Sequence, residues 1–210
     1  MPQKSVKENK MRVGFTAIIG RPNVGKSTLL NNIVGEKIAI VSPVPQTTRN
    51  MIRGVYTDDR GQIVFLDTPG WHLGKDHLDR YMNKAGMNSL DGADCVIHLA
   101  DTSRPIGEEE FQIVDKLRGV KVPIILGLNK VDLKGEYIPQ YIALWEEARK
   151  TKIDEMKDFV LLPLSGREGT QVDKLIDILF SFCREGELFY EPDIVTDAPQ
   201  KQVMADIIRE

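Results

Sequence analysis

A three-layer α/β fold, with a mostly parallel six-stranded sheet between helices on both faces, is predicted by three observations. Short apolar runs alternate with amphipathic stretches along most of the 210 residues. The runs are rich in β-branched residues and lack polar alternation, as in strands covered on both faces. Most consecutive runs are separated by enough chain for a helix, so the strands they join can lie parallel.

The elements follow in order. Val13–Ile19 reads as a buried strand ended by Gly20, and Lys26–Val34 as a helix with Leu29, Leu30 and Ile33 on one side. Glu36–Arg49, with Pro43, Pro45 and two threonines, reads as a loop. Asn50–Tyr56 and Gln62–Asp67 read as strands around a turn at Asp58–Gly61. So tight a connection sets one of the pair antiparallel to the rest. Thr68–Asp76 is a second loop and Leu78–Leu90 a helix. Cys95–Ala100, Pro123–Leu128 and Phe159–Leu164 read as strands; Glu108–Leu117, Ile138–Lys150 and Val172–Cys183 read as helices.

Residues 1–11 read as a polar, flexible tail and 12–186 as one domain. Residues 187–200, with Pro192, Pro199 and little periodicity, read as a linker. The helix-like Val203–Arg209 has nothing after it to pack against, so 201–210 reads as the start of a further domain. A composition of 41% hydrophobic and 28% charged residues argues against global disorder. A formal charge of -3 gives no basic footprint for nucleic acid. Cys95 and Cys183 are too few for a disulfide scaffold and lack zinc spacing, which points to small buried hydrophobes in a reducing compartment. No run reaches the ~18 apolar residues of a membrane span, and Met1–Arg12 has no apolar core of a signal peptide.

Gly20-Arg21-Pro22-Asn23-Val24-Gly25-Lys26-Ser27, followed by Thr28, matches the P-loop pattern between a strand and a helix. Its glycines let backbone N–H groups curl around phosphates, and the helix N-terminus adds partial positive charge. Lys26 can reach the β and γ phosphates and Ser27 can ligate Mg²⁺. Asp67-Thr68-Pro69-Gly70 ends a strand, where an aspartate can hold Mg²⁺ through water. Asn129-Lys130-Val131-Asp132 also follows a strand. Asp132 can accept from N1–H and the 2-amino group of guanine, donors that adenine lacks there, so GTP and GDP are favoured over adenine nucleotides. Asn129 would tie this loop to the P-loop, and the Lys130 stem can lie over the base. Ser165-Gly166 stands where a backbone N–H can reach guanine O6.

These four elements in order resemble the translation-factor class of P-loop GTPases, and three stretches narrow the resemblance to the TrmE–Era–EngA group. They are Gly20–Ser27 with Asn23, Gln46-Thr47-Thr48-Arg49, and Asp67-Thr68-Pro69-Gly70. The tail from Glu191-Pro192-Asp193 to Arg209-Glu210 is similar to the bacterial ribosome-assembly branch of that group. The resemblance implies GTP hydrolysis, with Lys26, Thr48, Gly70 and Asn23 as the catalytic set. Thr48 would join Ser27 and Asp67 on Mg²⁺ through its hydroxyl, with Thr47 contributing backbone. Asn23 would support a K⁺ ion with carbonyls near Ser42 and Val44, in place of an arginine finger. Gly70 would offer its N–H to the γ-phosphate. Trp71 stands where Ras-like enzymes carry a water-orienting glutamine, so intrinsic hydrolysis should be slow.

The chain departs from the family at Gly166, where alanine is usual; glycine keeps the donor but should loosen the loop. The resemblance also implies a C-terminal KH domain and binding to the small ribosomal subunit and its ribosomal RNA, weak without that domain. A cytoplasmic location, peripheral membrane association and a monomeric state complete what it implies. The reading taken is a GTPase timer acting in small-subunit assembly and ribosomal RNA maturation. The alternatives are a GTP sensor that hardly hydrolyses and the G domain of another member of the group. Elsewhere the residues read plainly. His98 is expected to be a satisfied core histidine, and His72 and His77 to be solvated. Glu108, Glu109 and Glu110 are expected at a solvated helix start, and Arg21 and Arg49 as exposed loop arginines.

Overall fold

The computed structural model describes residues 11–35, 53–67 and 92–196. Its elements are β1 (Met11–Ile19), α1 (Lys26–Val34), β2 (Arg53–Asp58), β3 (Gly61–Asp67), β4 (Cys95–Asp101) and α2 (Glu108–Leu117). They continue as β5 (Ile124–Asn129), α3 (Ile138–Arg149), β6 (Phe159–Pro163), α4 (Val172–Phe182) and β7 (Arg184–Gly186). The loops expected at 36–49 and 68–76, and the helix at 78–90, lie outside the described residues.

The six expected strands run in the order β2-β3-β1-β4-β5-β6. β2 is antiparallel to β3, as the short turn required, and the other pairs along this path are parallel. At Gly61 in that turn a Cβ would stand 1.9 Å from the Arg12 carbonyl oxygen, so only glycine lets β3 begin against β1. The short β7, not foreseen from the sequence, pairs antiparallel with the start of β1.

Period-2 alternation sends neighbouring strand residues into two cores. Ile18, Ile63, Phe65, Ile97, Leu99 and Ile125 face α1 and α4 with Leu29, Leu30, Leu175 and Leu179. Ala17, Ile19, Val96, Ala100, Leu126 and Leu128 face α2 and α3 with Ile113, Val114, Tyr141 and Trp145. Burial on both sides explains the unbroken apolar runs.

Residues 187–196, read from sequence as linker, run back over the domain. The Gln62 side chain, fully buried, donates to Thr57 Oγ1 and the Tyr190 carbonyl and accepts from the N–H groups of Phe189 and Tyr190. The Phe189 ring lies 4.4 Å from that of Phe15. Val55 N–H donates to the Val195 carbonyl, which covers part of the free edge of β2.

Candidate nucleotide-binding site

The order of strands reverses direction on either side of β1, and ligands of open parallel sheets bind beyond the strand C-termini at such a point. Residues 20–25 leave β1 there. A Cβ on Gly20 would stand 2.4 Å from the Leu99 carbonyl oxygen, so the loop passes β4 at a distance only glycine permits. Gly25 has φ +100 and caps α1, and a Cβ on it would stand 2.6 Å from Asn129 Nδ2.

Side chains from the ends of β4 and β5 grip successive loop carbonyls. Arg104 donates to Pro22 O at 3.0 Å, Lys130 Nζ to Asn23 O at 2.8 Å, and Asn129 Nδ2 to Val24 O at 2.7 Å. In a planar trans peptide the N–H points opposite to the C=O. Pulling these three carbonyls outward therefore turns the N–H groups of Asn23, Val24 and Gly25 toward the concave side, forming an anion-binding nest. The buried Lys26 donates from Nζ to Gly20 O and Arg21 O, at 3.3 and 3.2 Å, closing the loop on itself. Ser27 and Thr28 open α1, both half-buried.

Asn129 also joins the third loop. Its Oδ1 accepts from Gly166 N–H at 2.9 Å, so one amide ties residues 20–25 to residues 165–170. Ser165 is buried, and its Oγ accepts from Glu168 N–H. The Gly166 N–H, read from sequence as a donor for guanine O6, is engaged by Asn129, so an O6 acceptor would have to share it. Nor is the glycine a source of looseness. A Cβ there would lie 3.0–3.2 Å from Leu29 Cβ, Cα and N, so its absence lets this loop close onto α1. Asp132, in a short 3₁₀ turn after Lys130, is exposed beside this loop.

Sequence reasoning missed Asp101, Arg104 and a buried polar network. Asp101 ends β4 and pairs with Lys130 Nζ at 2.7 Å and Arg104 Nε at 3.1 Å. Burial pushes its carboxyl up, but Lys130 and two bonds from Ser103 outweigh that and hold it below the ordinary value. Its signal in the sequence was a lone aspartate closing an apolar strand. Arg21 and Glu110 correct two expectations. Arg21 is buried, and Glu110, at the third position of α2, is fully buried rather than solvated. Arg21 Nε stands 2.6 Å from Glu110 Oε1, and its other nitrogens donate to Tyr141 Oη and Pro105 O. Glu110 Oε2 accepts from His98 Nε2 at 2.9 Å, while His98 Nδ1 accepts from the indole N–H of Trp145 at 3.1 Å. That pattern assigns the neutral His98 tautomer with its proton on Nε2, the satisfied core histidine that was expected.

Asp67 ends β3 with its Cα in register with Ile18 of β1. Asn23 is exposed with φ 61. Thr48, Thr68, Pro69, Gly70, Ser42 and Val44 lie outside the described residues, as do Arg49, Trp71, His72 and His77. Among the described residues no group of three or more His, Cys, Asp or Glu side chains could hold a metal, and no helix is long and apolar enough to cross a membrane.

The fold and this site together define a P-loop nucleotide-binding domain. The chain belongs to the family described as 50S ribosome-binding GTPases, whose family model matches residues 15–130. It is 42% identical over 197 residues to the GTPase Era of Halothermothrix orenii and 43% identical over 198 residues to that of Alkaliphilus metalliredigens. Each match covers 94% of this chain and 65% of the relative. A crystal structure of Era with MgGDPNP and nucleotides 1506–1542 of 16S ribosomal RNA superimposes with a TM-score of 0.81 at 35% identity, covering 95% of this chain and 66% of that one. The Aquifex aeolicus Era variant bound to GDP·AlF₄⁻ gives 0.80 at 34%, with the same coverage. The FeoB G-domain of Methanococcus jannaschii, at 22% identity and 0.56, shares the fold.

Proposed function

We propose that this chain binds GTP with Mg²⁺ and hydrolyses it, as the nucleotide switch of an Era-type GTPase acting in small-ribosomal-subunit assembly. One observation carries the reading. The Asn129 amide joins the loop at Val24 to the loop at Gly166, and Asp132, the carboxylate suited to select guanine, follows Asn129 by three residues. Relatives that bind GDPNP with a 16S ribosomal RNA fragment, or GDP·AlF₄⁻, support it.

In this reading the N–H groups of residues 23–25 and the α1 N-terminus receive the β-phosphate, and Lys26 leaves its two carbonyls for the β and γ oxygens. The hydroxyl of Ser27 at the start of α1 and the Asp67 carboxylate at the end of β3 are hard oxygen donors that suit Mg²⁺, with the Thr48 hydroxyl as a third. That ion would supply charge neutralisation at the β and γ oxygens. Gly70 would offer its N–H to the γ-phosphate, which makes the stretches around 36–53 and 68–79 the switches that respond to it. Asn23, with carbonyls near Ser42 and Val44, would hold a K⁺ ion, which would supply positive charge beside the transferring group. In the Era relative the RNA bound is a 16S ribosomal RNA fragment, and the same class of partner is proposed for this protein, working as a cytoplasmic monomer with peripheral membrane contact.

The test is GTP turnover in K⁺ against Na⁺ buffer, with Asn23→Ala beside the native chain. K⁺ stimulation that the variant loses is expected. Equal slow rates in both salts would remove Asn23 from the mechanism and favour a GTP sensor that depends on a partner for hydrolysis.

A further inference from the structure

Arg21 differs from its neighbours in how it is held. Pro22, Asn23 and Val24 are gripped by their carbonyls, whereas Arg21 is gripped by its side chain, through the second core. Its carbonyl oxygen, meanwhile, accepts from Lys26 Nζ at 3.2 Å. The guanidinium turns away from the concave side of the loop and reaches Glu110 on α2, Tyr141 on α3 and the Pro105 carbonyl. With His98 neutral, the one negative charge of Glu110 is matched by the one positive charge of Arg21. The carboxylate is fixed from behind by His98, itself fixed by Trp145. All five side chains are buried.

We propose that Arg21 is a positioning residue that anchors the first turn of the phosphate loop to α2 and α3, keeping the nest formed before nucleotide arrives. The inference rests on the reading that residues 20–27 hold nucleotide phosphates. When Lys26 turns to a phosphate it releases Gly20 O and Arg21 O, and the loop loses the bonds that closed it on itself. The Arg21–Glu110 pair does not involve Lys26 and persists through that exchange. Without it the loop must be ordered at the expense of binding, so affinity falls by the fraction of molecules no longer in the competent shape. Because the guanidinium points away from the nest, Arg21 acts through the loop and does not touch the phosphates.

The test uses Glu110→Gln and the double variant Arg21→Met/Glu110→Gln. The single change leaves Arg21 charged and unpaired in the core and can cost folding. The double change removes both charges at similar volume, and His98 can still donate to the new amide, so it keeps the test open. GDP and GMP affinities are measured for each, together with the melting temperature of the nucleotide-free protein. The proposal expects GDP affinity to fall at least tenfold in the double variant, with GMP affinity falling much less, because the β-phosphate sits in the nest. It expects the nucleotide-free melting temperature of that variant to stay near the native one. Unchanged GDP affinity, or equal losses for GDP and GMP that track a lower melting temperature, would overturn it. Failure of the native chain to bind GDP at all would instead overturn the functional reading beneath it.

Discussion

Replacing Asn129 by alanine removes the side chain that joins residues 20–25 to residues 165–170. Its amide satisfies Val24 O and Gly166 N–H, at 2.7 and 2.9 Å, and both of those residues are buried. A buried group left unpaired costs about 1–3 kcal/mol. Two such groups give a loss of roughly 2–6 kcal/mol, a large part of the ~5–15 kcal/mol that holds a domain together. At about 2–4 °C per kcal/mol for a chain of this size, the melting temperature should fall by roughly 4–24 °C. Asn129→Asp sharpens the test. It keeps an acceptor for Gly166 N–H but sets a carboxylate oxygen against Val24 O, so it should be no more stable than the alanine variant. The assay is urea unfolding of the nucleotide-free protein followed by circular dichroism, with a GDP titration beside it. A loss under about 1 kcal/mol, with GDP affinity unchanged, would refute the claim that this amide organises the site.

Two further outcomes follow from the buried polar groups. Burial pushes the Glu110 carboxyl up, but His98, Arg21 and Tyr141 together hold it below its ordinary value. The folded state therefore binds the proton less readily than the unfolded chain. The resulting stability is complete above the unfolded carboxylate value of about 4.3 and is lost as pH falls through the lower folded value. Melting temperature against pH should show this acid limb in the native protein and a shallower one in the double variant. Gln62→Ala should release residues 187–196 from the domain, leaving the N–H groups of Phe189 and Tyr190 without the acceptor they now share. Limited proteolysis should then cut near Tyr190 several times faster, and an unchanged rate would show that the segment is held by other contacts.

The sheet was legible because its strands are buried on both faces and interrupted by helix-length amphipathic stretches; α1 and α2 were placed to the residue. The motif residues were legible because backbone approach to phosphate and base selection demand particular residue types at fixed spacing. What the sequence hid were pairings that are local nowhere along the chain. Arg21 and Glu110 lie 89 positions apart by number, and each alone looks like an ordinary solvated charge. Asp101 looks like the polar end of any strand until Lys130 and Arg104 close on it. Residues 187–196 lack periodicity because they are held by one glutamine, a ring contact between Phe189 and Phe15 and a few backbone bonds, a mode of packing that leaves no repeating pattern.

The central claim, that these loops form a guanine-nucleotide site, is tested most directly by titrating the chain with GDP and ADP in Mg²⁺ buffer, using the native protein and Asp132→Asn. The account predicts tight binding of GDP, no measurable binding of ADP, and loss of GDP affinity by two orders of magnitude or more in the variant. The variant should in exchange gain affinity for xanthosine diphosphate, whose 2-oxo group the new amide can meet with a donor. Equal affinity for GDP and ADP, or a variant that binds GDP as the native chain does, would contradict it.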